Sequence, residues 1–357
     1  MTSGSNFVSN TAAQKILFEE AVWQEKLENA YWSRYWSFPK VAESDHIDMD
    51  ASMDIRESDQ EKPVLIKRDL EASQGDTIKW SLILALQGAG IVGSSSQSLK
   101  ENLESIRAHV YSLELEEYAH GVGDVSPKGR KRVMFNVMNA ARNALYGWGI
   151  NKLDELAFSA IEASPTNIQY PTGVTAVNQL TTADSHKLTM SLLRKCKNIA
   201  STRNNGARFK IEPVKVGGKD YYIACCPPDC VTDLLGESEW QSAAQNALAR
   251  GQENPIFAGA DAITVDGIII TSNEKCSVFT NGGAGNNVPY GYVSFFGQKA
   301  LAVAMGEAPR LEADNDDFNR AKGLGYLMML KIGKPSFDSK DVGSLQLRVS
   351  RTQLQDA

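Results

Sequence analysis

Histidine is scarce in this sequence, four residues in 357, and cysteine is little commoner at five. The histidines (His46, His109, His120 and His186) form no His-x-x-x-His pair, and the cysteines form no Cys-x-x-Cys. A zinc site needs such closely spaced ligand pairs, so no metal centre is expected. An odd number of cysteines, with Cys225 and Cys226 adjacent, also argues against the disulfide framework of a small secreted domain. Positive charge is short as well: 37 Lys and Arg against 43 Asp and Glu leave a net charge of −6. A protein whose main task is gripping nucleic-acid phosphates needs the opposite balance. Long apolar runs are missing too. The longest, around Leu324–Leu330 and Ile268–Ile270, fall far below the roughly 20 residues of a membrane-spanning helix, and no membrane contact is expected. The opening Met1-Thr2-Ser3-Gly4-Ser5-Asn6 lacks the basic start and apolar core of a secretory signal, which points to synthesis in a reducing cytoplasm. No nucleophile elbow, kinase signature or dinucleotide fingerprint occurs.

What is present is ordinary globular material, 42% apolar and 22% charged, which excludes a disordered chain, a collagen or a coiled-coil rod. The length predicts about two domains. Thr11–Trp36 reads as one amphipathic helix, with Ile16, Trp23, Leu27 and Tyr31 on a stripe. It ends in Tyr31, Trp32, Tyr35, Trp36 and Phe38 before Pro39. One narrow helix face cannot bury so many rings, so they are expected against another part of the fold or another chain. Val41–Lys62 is acidic and apolar-poor and reads as a linker or loose arm.

A strand-rich section follows. Thr77–Leu86 alternates, with Ile78, Trp80, Leu82, Leu84 and Leu86 on one face. Gln87–Lys100 is rich in Gly and Ser, and Ile106–Tyr118 is a second extended run whose period of two slips near Tyr111. Such a slip predicts a bulge or a strand passing between two environments. Together these make a long hairpin, which is marginal in water unless it lies against something. Ser126-Pro127 to Ser164-Pro165 then reads as a long spine helix, its apolar positions being Val133, Val137, Ala141, Ala144, Trp148, Leu156 and Ile161. Gly147 and Gly149 flank Trp148 as an expected kink.

Helices are expected at Asp184–Ser201, Glu237–Arg250 and Ser294–Met305. Strands are expected at Tyr221–Cys226, Ile263–Val265, Ile268–Thr271, Leu324–Ile332 and Leu345–Val349. Asp266-Gly267 is the best hairpin turn in the chain.

The cluster Cys225-Cys226-Pro227-Pro228-Asp229-Cys230 looks most like chemistry, yet free cysteine is usually a small buried hydrophobe. His186 with Cys196 makes a weak nucleophile pair, because nothing supplies an orienting third group. Gly88–Gly93 and Asn281-Gly282-Gly283-Ala284-Gly285 lack phosphate-loop spacing and read as flexible turns. Lys128-Gly129-Arg130-Lys131-Arg132 reads as a solvated helix face or an intersubunit charge patch.

Several segments, in order, carry a resemblance. They are Val64-Leu65-Ile66-Lys67-Arg68-Asp69-Leu70 with Gly75-Asp76-Thr77-Ile78, then Asn254-Pro255-Ile256-Phe257-Ala258-Gly259-Ala260 after a helix holding Trp240 and Ala247. Gly297-Gln298-Lys299-Ala300 and Phe337-Asp338-Ser339-Lys340-Asp341-Val342-Gly343 complete the set. The chain resembles the major capsid proteins of tailed bacteriophages with the Hong Kong 97-type fold, within the coat-protein branch typified by N-four-like phages.

The resemblance implies an α+β fold with an N-terminal arm (1–63), an extended β-hairpin loop (64–118) and a spine helix with peripheral sheet (119–171). An axial α/β domain (172–306) and return strands (307–357) would follow. It implies a non-enzymatic virion protein, made in the host cytoplasm, that self-assembles as pentamers and hexamers into an icosahedral shell. Double-stranded DNA would be held by enclosure, and the implied partners are portal, scaffolding and cement or decoration proteins, with no cofactor. Intersubunit contacts are expected at Trp23, Trp32, Trp36, Gly88, Gly90 and Gly93. Two alternatives stand beside it: an encapsulin-type compartment shell, and a thiol-dependent enzyme using Cys225, Cys226 and Cys230.

Overall fold

Two sheets share one long helix. The structure is a computed structural model that describes residues 31–32, 62–68, 75–83, 108–123, 137–202, 210–216, 219–241, 262–316, 321–337 and 339–353. In chain order the elements begin with β1 (Val64–Lys67), β2 (Thr77–Ile83), β3 (Ala108–Glu114), β4 (Glu116–Val122), α1 (Val137–Glu162) and β5 (Ile168–Gln169). Next come α2 (Met190–Ser201), β6 (Val214–Val216), β7 (Lys219–Cys226), α3 (Pro228–Leu235), β8 (Ala262–Val265) and β9 (Ile268–Ser272). The chain then runs through β10 (Val278–Gly282), β11 (Val288–Phe296), β12 (Leu301–Asp316) and β13 (Ala321–Gly333). It finishes with β14 (Ser336–Phe337), β15 (Lys340–Asp341) and β16 (Ser344–Ser350).

The first sheet is four-stranded, in the order β1-β12-β13-β4. β1 runs parallel to β12 through Val64↔Leu301 to Lys67↔Ala304, so Val64–Lys67 belongs to this sheet and not to the hairpin that follows it. The second sheet runs β5-β16-β11-β7-β9-β8, with β10 paired to β11 and β6 to β7. Its faces are both covered, and β7 shows the consequence. Ile223 and Cys225 enter the core beneath α1, while Tyr222, Ala224 and Cys226 enter the core beside α2. The period of two survives in the geometry, but every residue from Tyr222 to Cys226 is buried.

α1 is about 39 Å long at 1.5 Å per residue. It buries Ala141, Leu145, Leu153, Ala157, Phe158 and Ile161, a 3.6-period stripe, against β12, β13 and β11. It stops where Ser164 takes a positive φ of 42° ahead of Pro165, a residue that cannot continue a helix. Two expectations fail here. Ala144 is exposed. The helix also passes unbroken through Gly147 and Gly149, because Gly149 is occupied by packing, as the ring of Tyr326 lies over it.

The period slip is displaced as well. β2 and β3 pair without interruption from Thr77↔Glu114 to Ile83↔Ala108, straight through Tyr111. The break comes at Leu115, whose N–H donates to the Asp76 carbonyl at 2.8 Å; beyond it the chain leaves β2 and pairs as β4 with β13. This is the strand passing between two environments, four residues later than the pattern suggested.

Ser294–Met305, expected as a helix, is the end of β11, a turn, and the start of β12. Its residues are buried on both faces, and an apolar run of that kind carries no period to distinguish helix from strand. The helix expected over Asp184–Ser201 begins at Met190, where the Thr189 hydroxyl accepts from the Leu192 N–H at 3.3 Å. Asp266 and Gly267 both have positive φ, 51° and 74°, and join β8 to β9 as the sequence indicated. Thr11–Ala30, the acidic stretch up to Glu61, the Gly/Ser segment and Lys128–Arg132 lie outside the described residues, as do Asn254–Ala260 and most of Glu237–Arg250.

Candidate assembly surfaces

The hairpin base is fixed on one face only. Ile78, Leu113, Trp80 and Tyr111 point the same way, since Ile78 pairs with Leu113 and Trp80 with Tyr111. They pack with Leu115 on Ala302 and Ala304 of β12. Small residues make the close approach possible: a Cβ on Gly333 would meet the Leu113 methyl Cδ2 at 2.5 Å. Burial among these apolar groups pushes the Tyr111 hydroxyl up to a pKa of about 12. The opposite face carries Lys79, Ser81, Val110, Ser112 and Glu114, and Val110 is 52% exposed. An apolar side chain left that open on a two-stranded ribbon is a natural place for cover by another surface.

The sheet edge beside it is charged. Glu116 of β4 pairs with Lys331 of β13 and accepts from the Tyr118 hydroxyl at 2.5 Å. The Lys331 ammonium, and after it the Tyr118 hydroxyl, hold the Glu116 carboxyl below its usual range. Farther along β12, Arg310 lies 2.9 Å from Glu307 and 2.5 Å from Glu312. β1 covers β12 only from Leu301 to Ala304.

Trp32 requires a correction. Expected at an intersubunit contact, it is 0% exposed and sits in the core of its own chain, with ring centroids 5.2 Å from Phe296 and 5.7 Å from Phe158. Its backbone N–H donates to Asp154 Oδ1 at 3.0 Å, and the Tyr31 and Thr271 hydroxyls share a hydrogen bond of 2.7 Å. Asp154, buried on α1, accepts from Lys275 Nζ at 3.1 Å, and that ammonium also donates to Asn151 at 3.0 Å. Of the aromatic run, Tyr31 and Trp32 find their cover elsewhere in the fold, in this socket. Trp23, Trp36, Gly88, Gly90 and Gly93 lie outside the described residues.

A second polar tie carries no signal in the sequence. Asp341 accepts from the Thr166 N–H at 2.9 Å and lies 3.0 Å from Lys334, whose ammonium also reaches the Ala163 carbonyl at 2.7 Å. It fastens the end of α1 to the β14–β15 hairpin.

The thiols of the Cys225–Cys230 cluster do not converge on one site: Cys225 enters the core beneath α1, and Cys226 and Cys230 the core beside α2. Cys225, Cys226 and Cys230 are all buried. Burial drives the Cys226 thiol well above its ordinary value and the Cys230 thiol up to about 12, the direction opposite to activation. His186 is engaged by Thr181, whose N–H donates to its Nδ1 at 2.9 Å, and Cys196 is buried in the core beside α2. Gly283, at φ 73°, belongs to the turn between β10 and β11 and not to a phosphate cradle. Among the described residues no group of three or more His, Cys, Asp or Glu is placed to hold a metal ion, and no helix is long and apolar enough to cross a membrane.

Over residues 21–162 and 151–313 the sequence matches a family model described as phage capsid protein. No curated protein sequence matches it. Among solved structures, the chain is similar to the capsid subunit of cyanophage Pam1, with a TM-score of 0.75 and 17% identity over 98% of this chain and 99% of that one. It is also similar to the capsid of Ralstonia phage GP4, at TM-score 0.71 and 18% identity over 84% and 90%. The head of Helicobacter pylori bacteriophage KHP40 follows at 0.66 and 14% over 82% and 89%.

Proposed function

Starting from the premise that this chain belongs to the phage capsid protein family, we propose that its copies close as pentamers and hexamers into an icosahedral shell around a packaged double-stranded DNA genome. The chain is a structural capsid protein with the Hong Kong 97-type fold, the fold shared by the Pam1, GP4 and KHP40 capsids. The family match carries this reading.

In this assignment β2 and β3 form the base of the extended loop, and α1 with the four-stranded sheet forms the spine and periphery. The eight-stranded sheet with α2 and α3 forms the domain at capsomer centres. The boundaries read from the sequence (1–63, 64–118, 119–171, 172–306 and 307–357) are kept in this assignment except where strands cross them: β1, the whole of β4 and the start of β12 go with the peripheral sheet, and β5 goes with the eight-stranded one. The half of the hairpin facing away from β12, with Val110 at its middle, is assigned to a neighbouring subunit, as are Gly88, Gly90 and Gly93. Trp23 and Trp36 are assigned to the same kind of contact. Portal, scaffolding and cement proteins are the proposed partners, the host cytoplasm the place of synthesis and the virion capsid the destination. The protein acts by bearing load; the buried, high-pKa thiols support a non-catalytic role.

Negative-stain microscopy of the purified chain, with analysis of what the particles hold, tests the reading. Closed shells, with nuclease-protected DNA in particles from infected cells, are expected. A chain that stays monomeric at high concentration overturns it, and a shell filled with a cargo enzyme points to an encapsulin-type compartment.

A further inference from the structure

We propose that Cys225 and Cys276 form a redox-convertible pair that a small hydroperoxide closes into an intrachain disulfide. Their Sγ atoms lie 3.4 Å apart, within the core that also holds Ile223, Phe296 and Trp32. A disulfide needs about 2.05 Å, so the sulfurs must close a gap of little more than 1 Å. One partner can supply that movement. Cys225 is held on β7 between β11 and β9. Cys276 lies in the short connection from β9 to β10, which folds back through its own N–H to the Asn273 carbonyl at 3.4 Å. Cys226 points to the opposite face of β7, into the core with Cys196 and Cys230, so the sheet itself separates those three thiols from the pair.

The chemistry balances with one hydrogen peroxide. The Cys276 sulfur attacks the peroxide, forming an S–O bond as the O–O bond breaks and the first water departs. The Cys225 sulfur then displaces hydroxide from the sulfenic sulfur, and the second water leaves with the remaining proton. Two electrons pass from sulfur to peroxide. The hydrogen bond of the Cys276 thiol to Cys225, together with burial, raises that thiol well above its usual value, so thiolate is scarce and the reaction is slow. Both side chains are buried, 0% and 3% exposed, which keeps bulky thiol reagents out of the folded chain and lets a small peroxide enter only as the Cys276 connection opens.

The bond would tie together residues 51 apart in sequence, restricting the unfolded chain. It would also fix the connection whose Lys275 holds Asp154 and, through it, Trp32. A subunit made reduced inside a cell and stiffened outside it would use such a pair well. That use rests on the proposed function; the pair's reactivity does not.

The test uses the purified full chain exposed to hydrogen peroxide, denatured in N-ethylmaleimide and digested with trypsin. The expected product is one linked peptide pair, with fragmentation placing the bond between Cys225 and Cys276, and a Tm higher by roughly 5 °C that reverts with dithiothreitol. Cys276→Ala should lose both signals, and Cys226→Ala should keep both. Overoxidised thiols alone, or a bond to Cys226 or Cys230, overturn the pairing, and a linked chain with unchanged Tm overturns the stiffening. Shell formation, scored separately by microscopy, reports on the proposed function and not on this chemistry.

Discussion

Gly149 of α1 lies directly under the ring of Tyr326 on β13: a Cβ at position 149 would stand 2.5 Å from the Tyr326 Oη and 2.7 Å from Cε1. The helix accepts a poor helix former there so that sheet and helix can close on each other, with Trp148 stacked on His120 beside the contact at 4.8 Å.

Gly149→Ala should therefore destabilise the subunit although alanine is the better helix former. Overpacking costs about 1–3 kcal/mol and propensity returns at most about 1 kcal/mol. The expected net loss is about 1–2 kcal/mol in urea unfolding. Tyr326→Ala in the same chain should relieve part of it, giving a double-mutant cycle that is less than additive. A stabilised Gly149→Ala variant would show that the ring does not occupy this groove.

Trp32→Ala should cost about 3–5 kcal/mol of subunit stability, the usual range for emptying a large buried aromatic site. The loss should appear in the isolated chain, before any assembly, as a lower denaturant midpoint. Unchanged monomer stability combined with fragile particles would return Trp32 to an intersubunit contact.

Val110→Lys should separate folding from assembly. The side chain stands on the open face of the hairpin, so the monomer should change by no more than about 0.5 kcal/mol. Shell yield by sedimentation should fall sharply. Normal yield would mean that no neighbour covers this face.

Glu162 gives a pH signature. Burial raises its carboxyl above the ordinary range, although the Ser277 N–H, at 3.1 Å, and the Ser277 hydroxyl both donate to it. The folded chain thus holds this proton more tightly than the unfolded one. Its contribution is complete below the unfolded value of about 4.3 and is lost as pH rises through the folded value. Glu162→Gln, which keeps the neutral shape, should match the wild type near pH 4, gain on it as pH rises through the folded value, and hold a constant lead above that. The opposite slope in denaturant midpoints would sink this assignment.

What the sequence reveals depends on how local the cause is. The Asp266-Gly267 turn needs only two neighbours with positive φ, and the β2–β3 face needs only alternation, so both are legible. Ser294–Met305 is not, because strands covered on both sides lose their polar face; Gly297, where a Cβ would meet the Ile211 side chain at 3.0 Å, was the available clue to a break. Tyr31 and Trp32 were recognisable as rings in need of cover, but the hydrogen-bond partner of Trp32, Asp154, lies 122 residues away and that of Tyr31, Thr271, lies 240 away. No spacing rule reaches that far. The same holds for Asp341 and Thr166, 175 apart.

The position of β16 has a consequence for timing. It lies between β5 and β11, inside the eight-stranded sheet, yet it follows every other strand of that sheet in the chain. A ribosome must therefore deliver residue 350 before the gap can be filled. Until then β11 keeps one edge bare, from Tyr290 to Phe296, and the sheet cannot close before nearly the whole chain has been made.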